Sequence, residues 1–397
     1  MRLTNRWAVL ALMFMVGLTI PTQFQAVAAL APFLVNEARL TYTDIGALTG
    51  MFMAPGVFLA APGGALVARI GDKAAMAAGL FVMLGAALLF AATDSYATMA
   101  AARLIGGAGA VFVSILVPKI VTDWFVGKEI ATALATVSSS FGLGVGVTIG
   151  VLPWIASQSS WSNAALANAA VTGLALIFLL VLFPKSGDAR GGNTNHPTLW
   201  RITATEAVLA SLAGGGRMLF STGYVVFMSF APPLLIARGM SAAEAGFLTS
   251  LAGVVSIVSV PLGGALSDWT RKPNLFIVGG AVGTALACAF LPYVAPAALW
   301  ILLFGVLRGG CTGGIMALPS QVLRPESRAA GFAIASAVYF IGMAGLPPIA
   351  GYLFDATSDA ATPVLFAGLL WILIPILLIV FKTLQRKWPL GDLPTSR

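Results

Sequence analysis

The sequence predicts an all-α integral membrane protein whose twelve transmembrane helices form two pseudo-symmetric six-helix bundles. Three observations lead there. Only 9% of the 397 residues are charged while 59% are hydrophobic, and the mean hydropathy is +0.95. A soluble domain carries about 25% charged residues, so most of this surface faces lipid. The apolar residues fall into twelve runs, each long enough for a bilayer crossing of about 20 residues. The second six runs then repeat landmarks of the first six. This composition excludes a soluble enzyme, a nucleic-acid module and a single-pass receptor. The formal charge of +8 and the pI near 9.8 read as topology signals rather than as a surface for a polyanion.

In chain order, the first six spans cover roughly 7–34, 42–69, 72–93, 97–125, 129–156 and 162–183. The opening run resembles a signal peptide but is too long for one. It is also interrupted by Pro21, Gln23 and Gln25, so it reads as an uncleaved first span that Pro21 breaks. A polar stretch from Lys185 to Pro197 follows. The remaining spans cover roughly 203–237, 241–268, 273–293, 296–323, 327–356 and 361–385. The expected domains are an N-terminal bundle over 1–184, a linker over 185–202, and a C-terminal bundle with a short tail over 203–397.

The distribution of positive charge orients this map. With the N-terminus inside, sixteen Lys and Arg fall in inner loops and tails, from Arg2 and Arg6 through Arg69, Lys73, Arg271 and Lys272 to Arg397. Only Arg39 and Arg238 fall outside. The expectation is a multi-pass plasma-membrane protein, in a bacterial inner membrane, with both termini cytoplasmic.

The repeat is visible in Gly63-Gly64-Ala65-Leu66 and Gly263-Gly264-Ala265-Leu266, each followed by a short basic loop. The fourth span carries Arg103 and Pro118, and the tenth carries Arg308 and Pro319. The fifth and eleventh are both studded with glycine. Two homologous six-span halves match a parallel-repeat transporter plan.

These motifs resemble those of the major facilitator superfamily over essentially the whole chain. The pattern G-x-L-a-D-[RK]-x-G-R-[KR] of that family is matched by Gly264-Ala265-Leu266-Ser267-Asp268-Trp269-Thr270-Arg271-Lys272, which lacks the later glycine. The first copy, from Gly64 through Arg69 to Asp72 and Lys73, has Ala68 where the aspartate belongs, and Asp72 is the acid that could replace it. The resemblance implies that Gly64, Arg69, Asp72, Gly264, Asp268 and Arg271 form a gating latch on the cytoplasmic side. Arg103-Leu104-Ile105-Gly106-Gly107-Ala108-Gly109-Ala110 matches a second family pattern, in the fourth span. The fifth-span glycine motif is kept only loosely, since Val147 rather than proline follows Gly146. Within the family the chain is most similar to carriers of the cyanate, nitrate/nitrite and oxalate:formate type.

Ionisable groups deep in a bilayer cost at least about 2.5–3.5 kcal/mol and point to function. Arg217 and Arg308 lie about fourteen and about twelve residues into their spans, near the midplane at about 1.5 Å per residue. Arg103 lies nearer the outer surface, and Lys119 sits near the inner end of its span, where it is expected to snorkel. All fourteen acids fall at span ends, loops or tail, so none is central. Glu206 precedes Arg217 by about three turns, about 16 Å, too far to pair. An anionic substrate would be the natural partner of the two arginines, because a guanidinium fork binds two oxygens at once. For each, carbonyls freed beside Gly214-Gly215-Gly216 or Gly309-Gly310 are the alternative partner. The expected substrate site is Arg217, Arg308, Arg103, Gln23, Tyr224 and Tyr339, with Ser221, Ser336 and Ser138 to Ser140 as further polar candidates.

No catalytic or metal site is expected. His196 has no ligand-like neighbours, Cys288 and Cys311 lie in apolar runs, and there is no phosphate-cradling loop. The expected function is therefore alternating-access transport of a small anion, by a monomer without cofactor whose partners are its substrate and the lipid bilayer. A polyspecific exporter of amphipathic compounds is the alternative.

Overall fold

A computed structural model describes residues 5–60, 70–125, 129–183, 202–324 and 327–388. Among the described residues it is all helix, with twelve helices long and apolar enough to cross a membrane. In the first half these are α1 (Arg6–Ala29), α2 (Tyr42–Ala60), α3 (Asp72–Ala91), α4 (Tyr96–Trp124), α5 (Ile130–Gln158) and α6 (Trp161–Leu182). The second half comprises α7 (Ala204–Ala237), α8 (Ala242–Thr270), α9 (Pro273–Phe290), α10 (Ala297–Ala317), α11 (Arg328–Thr357) and α12 (Ala361–Lys387). A short helix, Ala31–Glu37, links α1 to α2. The linker expected over 185–202 lies outside the described residues except for Ile202.

Local sequence sets several helix starts. Thr41 and Asp44 form a reciprocal capping box on α2, Thr203 and Glu206 form one on α7, and Ser241 and Glu244 exchange the same bonds on α8. The expected break at Pro21 is corrected, because α1 runs through it as one helix. Its ring is accommodated by Gly144 of α5, where a Cβ would lie 2.5 Å from Pro21 Cγ.

The two halves meet mainly along two seams, α2 against α11 and α5 against α8, and α1 also touches α7. Small residues let these backbones approach, as membrane helices require. Gly46 faces the backbone of Pro347 and Pro348, Gly50 faces Ala344, and a Cβ on Gly253 would lie 2.8 Å from Gly146 Cα. We call the side where α1 begins and α12 ends the terminal face, and the opposite side the far face. The seams are tightest toward the far face. There the Asp355 carboxylate of α11 accepts from Tyr42 N at 3.1 Å, Thr43 N at 2.7 Å and Thr43 Oγ1 at 2.6 Å, all at the start of α2. The rings of Tyr42 and Phe354 lie 3.8 Å apart beside this contact.

Candidate functional site

Between the halves lies a cavity of about 900 Å³, whose lining runs from the middle of the helices toward the terminal face. Arg217, Phe220, Ser221 and Tyr224 enter it at i, i+3, i+4 and i+7 of α7, the spacing of one helix face. Arg308 and Thr312 come from α10, and Ser336 and Tyr339 from α11. Among the described residues the opposing wall, from the N-terminal half, is uncharged. It includes Gly17, Ile20, Phe52, Met53, Gly107 and Ser138 to Ser140. Among the described residues, all the positive charge in the lining therefore belongs to one half.

Each arginine rests on aromatic rings. The Arg217 guanidinium carbon lies 4.4 Å from the Tyr339 ring centre, and that of Arg308 lies 3.9 Å from Tyr224 and 5.0 Å from Phe220. Phe304 and Trp371 back these rings, with Tyr224 stacked 6.3 Å from Phe304 and Phe220 edge-on to Trp371 at 5.2 Å. Among the described residues neither arginine pairs with a carboxylate. The Nε atoms of both are buried without a hydrogen-bond partner, and the remaining guanidinium nitrogens open onto the cavity. A desolvated cation–π contact is worth about 2 kcal/mol, whereas removing an ion from water costs several kcal/mol. The rings thus orient the two charges without compensating them. A bound anion would supply both the counter-charge and the missing acceptors.

Two expected site residues lie elsewhere. Arg103 donates from Nε to Leu48 O at 2.9 Å, from Nη1 to Gln23 O at 2.6 Å and from Nη2 to Phe24 O at 2.9 Å, and it sits over the Phe52 ring. Gln23 turns away from the central cavity and donates to Thr172 Oγ1 at 2.9 Å. Both border a separate void of about 20 Å³ inside the N-terminal half. The physical reason is register. Gly107 of α4 faces the Phe52 carbonyl, and Gly305 of α10 faces the Ala252 carbonyl, the matching position of α8. Arg103 precedes its glycine by one turn and Arg308 follows its own, so Arg103 lies about two turns, or about 10 Å, nearer the far face. There the carbonyls of α1 and α2 saturate it.

Of the expected latch residues, Gly64 and Arg69 lie outside the described residues, as does the side chain of Asp268. Asp72 opens α3 and pairs with Lys119 Nζ of α4 at 2.6 Å, and Asp123 joins at 3.3 Å. Lys119 is thus held by two carboxylates at the helix ends rather than by snorkelling alone. Gly264 borders the cavity, and Arg271 takes a left-handed conformation (φ 54°) in the exposed α8–α9 turn.

Three features escaped the sequence reading. Phe220 forms part of the ring support under Arg308, and its i+3 offset from Arg217 was the available signal. Glu206, fully buried, accepts from Arg324 Nε at 3.0 Å and Ser327 Oγ at 2.6 Å, tying α7 to the segment before α11. Gln25 of α1 donates to Ser229 Oγ of α7 at 2.9 Å, a hydrogen bond between the halves.

Comparison with known proteins agrees with this architecture. The family model described as Major Facilitator Superfamily matches residues 8–344 and 215–394. The chain is 24% identical to the 2-nitroimidazole transporter of Escherichia coli (strain K12) over 404 residues, covering 94% of each protein. It is 26% identical to the quinolone resistance protein NorA of Staphylococcus aureus (strain MRSA252) over 226 residues. That match spans 54% of this chain and about half, 55%, of NorA. Among solved structures, the inward open xylose transporter XylE from E. coli superposes with a TM-score of 0.78 at 14% identity, covering 97% of this chain and 100% of that one. At such identity the likeness is one of fold.

Proposed function

The chain belongs to the Major Facilitator Superfamily, and on that premise we propose that it carries a small organic or inorganic anion across the membrane by alternating access. The observation that carries the reading is the pair Arg217 and Arg308. Both open into one cavity, both have a buried Nε without an acceptor, and neither has a carboxylate partner among the described residues. A planar anion offers each guanidinium two oxygens. It also lowers the repulsion between two cations held in a poorly hydrated space.

In this reading the substrate enters at mid-membrane, against Arg217, Arg308, Tyr224 and Tyr339. The halves then rock about it, parting the α2–α11 and α5–α8 seams on one side and closing them on the other. With the terminal face cytoplasmic, as the sixteen-to-two charge distribution argues, the present arrangement is the inward-facing state. The plasma membrane, in a bacterium the inner membrane, is the expected site of action.

A second reading, export of amphipathic neutral or cationic compounds, is favoured by the uncharged N-terminal wall of the cavity and by the likeness to NorA. The 2-nitroimidazole relative fits either reading, since a nitro group offers the same planar pair of oxygens as a carboxylate. Uptake into proteoliposomes separates them. Radiolabelled nitrate, formate, oxalate and larger carboxylates are compared with neutral isosteres of the carboxylates. Saturable uptake confined to anions supports the proposal, and uptake confined to neutral or cationic compounds overturns it.

A further inference from the structure

A second hollow, of about 560 Å³, lies on the outer flank of the C-terminal half, walled by α8, α9 and α10. It is distinct from the central cavity because the two use opposite faces of α8. Val258, Leu262 and Leu266 turn outward, whereas Ser256, Val260 and Gly264 turn toward the central cavity. Val258 is 61% exposed and Leu262 54% exposed, so the hollow opens to the lipid side of the bundle.

Its lining is suited to a hydrocarbon chain rather than a polar solute. Among the described residues the one side-chain hydroxyl in it, that of Ser259, is already committed to Gly305 O at 2.7 Å. Along α8 the lining extends from Val255 to Leu266. Those twelve residues span about 16 Å, half of the about 30 Å hydrocarbon thickness of a bilayer. The width comes partly from Gly279 of α9, where a Cβ would meet no atom within 4 Å.

At its terminal-face end the lining reaches Leu266 and Leu275, which flank the α8–α9 turn. Arg271 and Lys272 stand there exposed, with no carboxylate paired to them among the described residues. Trp269 beside them is 84% exposed, in the position of an interfacial anchor. A half-bilayer apolar slot with two exposed cations at its polar end is complementary to one molecule: a lipid with an anionic headgroup.

We propose that this hollow is a binding site for an anionic phospholipid of the terminal-face leaflet, with one acyl chain along α8 over Gly279 and the phosphate on Arg271 and Lys272.

The test uses the full-length protein in detergent, titrated separately with phosphatidylglycerol and phosphatidylcholine of identical chains, with bound lipids counted by native mass spectrometry. Wild type should retain phosphatidylglycerol about tenfold more strongly than phosphatidylcholine. Arg271→Gln combined with Lys272→Gln should bring that ratio close to one. Gly279→Leu fills the slot and should lower phosphatidylglycerol retention at least fivefold, and Leu262→Gln provides a second variant should Gly279→Leu not fold. Equal retention of both lipids by wild type overturns the proposal. So does wild-type retention in both the Gly279→Leu and Leu262→Gln proteins. Appearance of a dimer whose formation displaces the lipid would also overturn it, by assigning the hollow to a second copy of the chain.

Discussion

Arg103 and Arg308 occupy corresponding helices of the two halves about two turns apart, and only the second faces the central cavity. Arg103 gives hydrogen bonds to three backbone carbonyls from α1 and α2. Hydrogen bonds involving a charged group contribute about 1.5–3 kcal/mol each. Their removal in Arg103→Leu, allowing for non-additivity, should destabilise the protein by about 3–5 kcal/mol. The measurement is thermal unfolding in detergent, where the melting temperature should fall by several degrees. Anion affinity of the folded fraction should stay within a few fold of wild type. A stable Arg103→Leu protein with abolished binding would return this residue to the site.

The ring of Tyr224 supports Arg308 at 3.9 Å while its hydroxyl is buried without a partner. The ring and the hydroxyl therefore separate experimentally. Tyr224→Phe should keep anion affinity within about threefold and hold or raise the melting temperature, because an unsatisfied buried hydroxyl costs about 1–3 kcal/mol. Tyr224→Leu removes the cation–π support, worth about 2 kcal/mol when desolvated, and should weaken binding by an order of magnitude or more. Isothermal titration of both variants distinguishes the two roles. A large loss in Tyr224→Phe would instead show the hydroxyl touching substrate.

Asp355 caps α2 from the other half of the molecule through two backbone amides and the Thr43 hydroxyl. These bonds exist only while the far face is closed. Asp355→Ala should therefore move the conformational equilibrium toward far-face opening by about 1.5–3 kcal/mol, on the order of tenfold or more in population. Spin labels at the far-face ends of α2 and α11 would report a new, longer distance. An unchanged distance distribution would show that the glycine-lined seams alone hold that face shut.

Much of this architecture is legible in the amino-acid sequence because membrane composition is restrictive. Twelve apolar runs and two copies of the Gly-Gly-Ala-Leu segment were enough for the helices and their pairing into halves. Position along a span could also be read, since residue counting places Arg217 and Arg308 near the middle of their helices before any fold is known. What position alone did not give was satisfaction. Arg103 and Gln23 lie among helices as buried as those around Arg308, but carbonyls from α1 and α2 come within reach of Arg103, and Thr172 of α6 within reach of Gln23. Such partners are distant in sequence and carry no motif. For the same reason Glu206, which the structure shows capping α7, gave no sign in the sequence of its bonds to Arg324 and Ser327. Pro21 was misread because local propensity counts the hydrogen bond a proline removes, but not the space that Gly144 gives its ring.

The central claim is that Arg217 and Arg308 hold an anion, and ligand-induced stabilisation tests it most directly. Purified wild type, Arg217→Gln, Arg308→Gln and the two Arg→Lys proteins are melted in nanodiscs against a panel of inorganic anions, carboxylates and neutral isosteres. A ligand that binds only the folded carrier raises its stability according to occupancy. Wild type should be stabilised by at least one anion and by none of the neutral isosteres. Each Gln variant should lose most of that effect, corresponding to about 2–5 kcal/mol of binding, and each Lys variant should recover part of it, keeping the charge without the planar fork. Stabilisation of the Gln variants equal to wild type, or a ligand that proves neutral or cationic, would contradict the account.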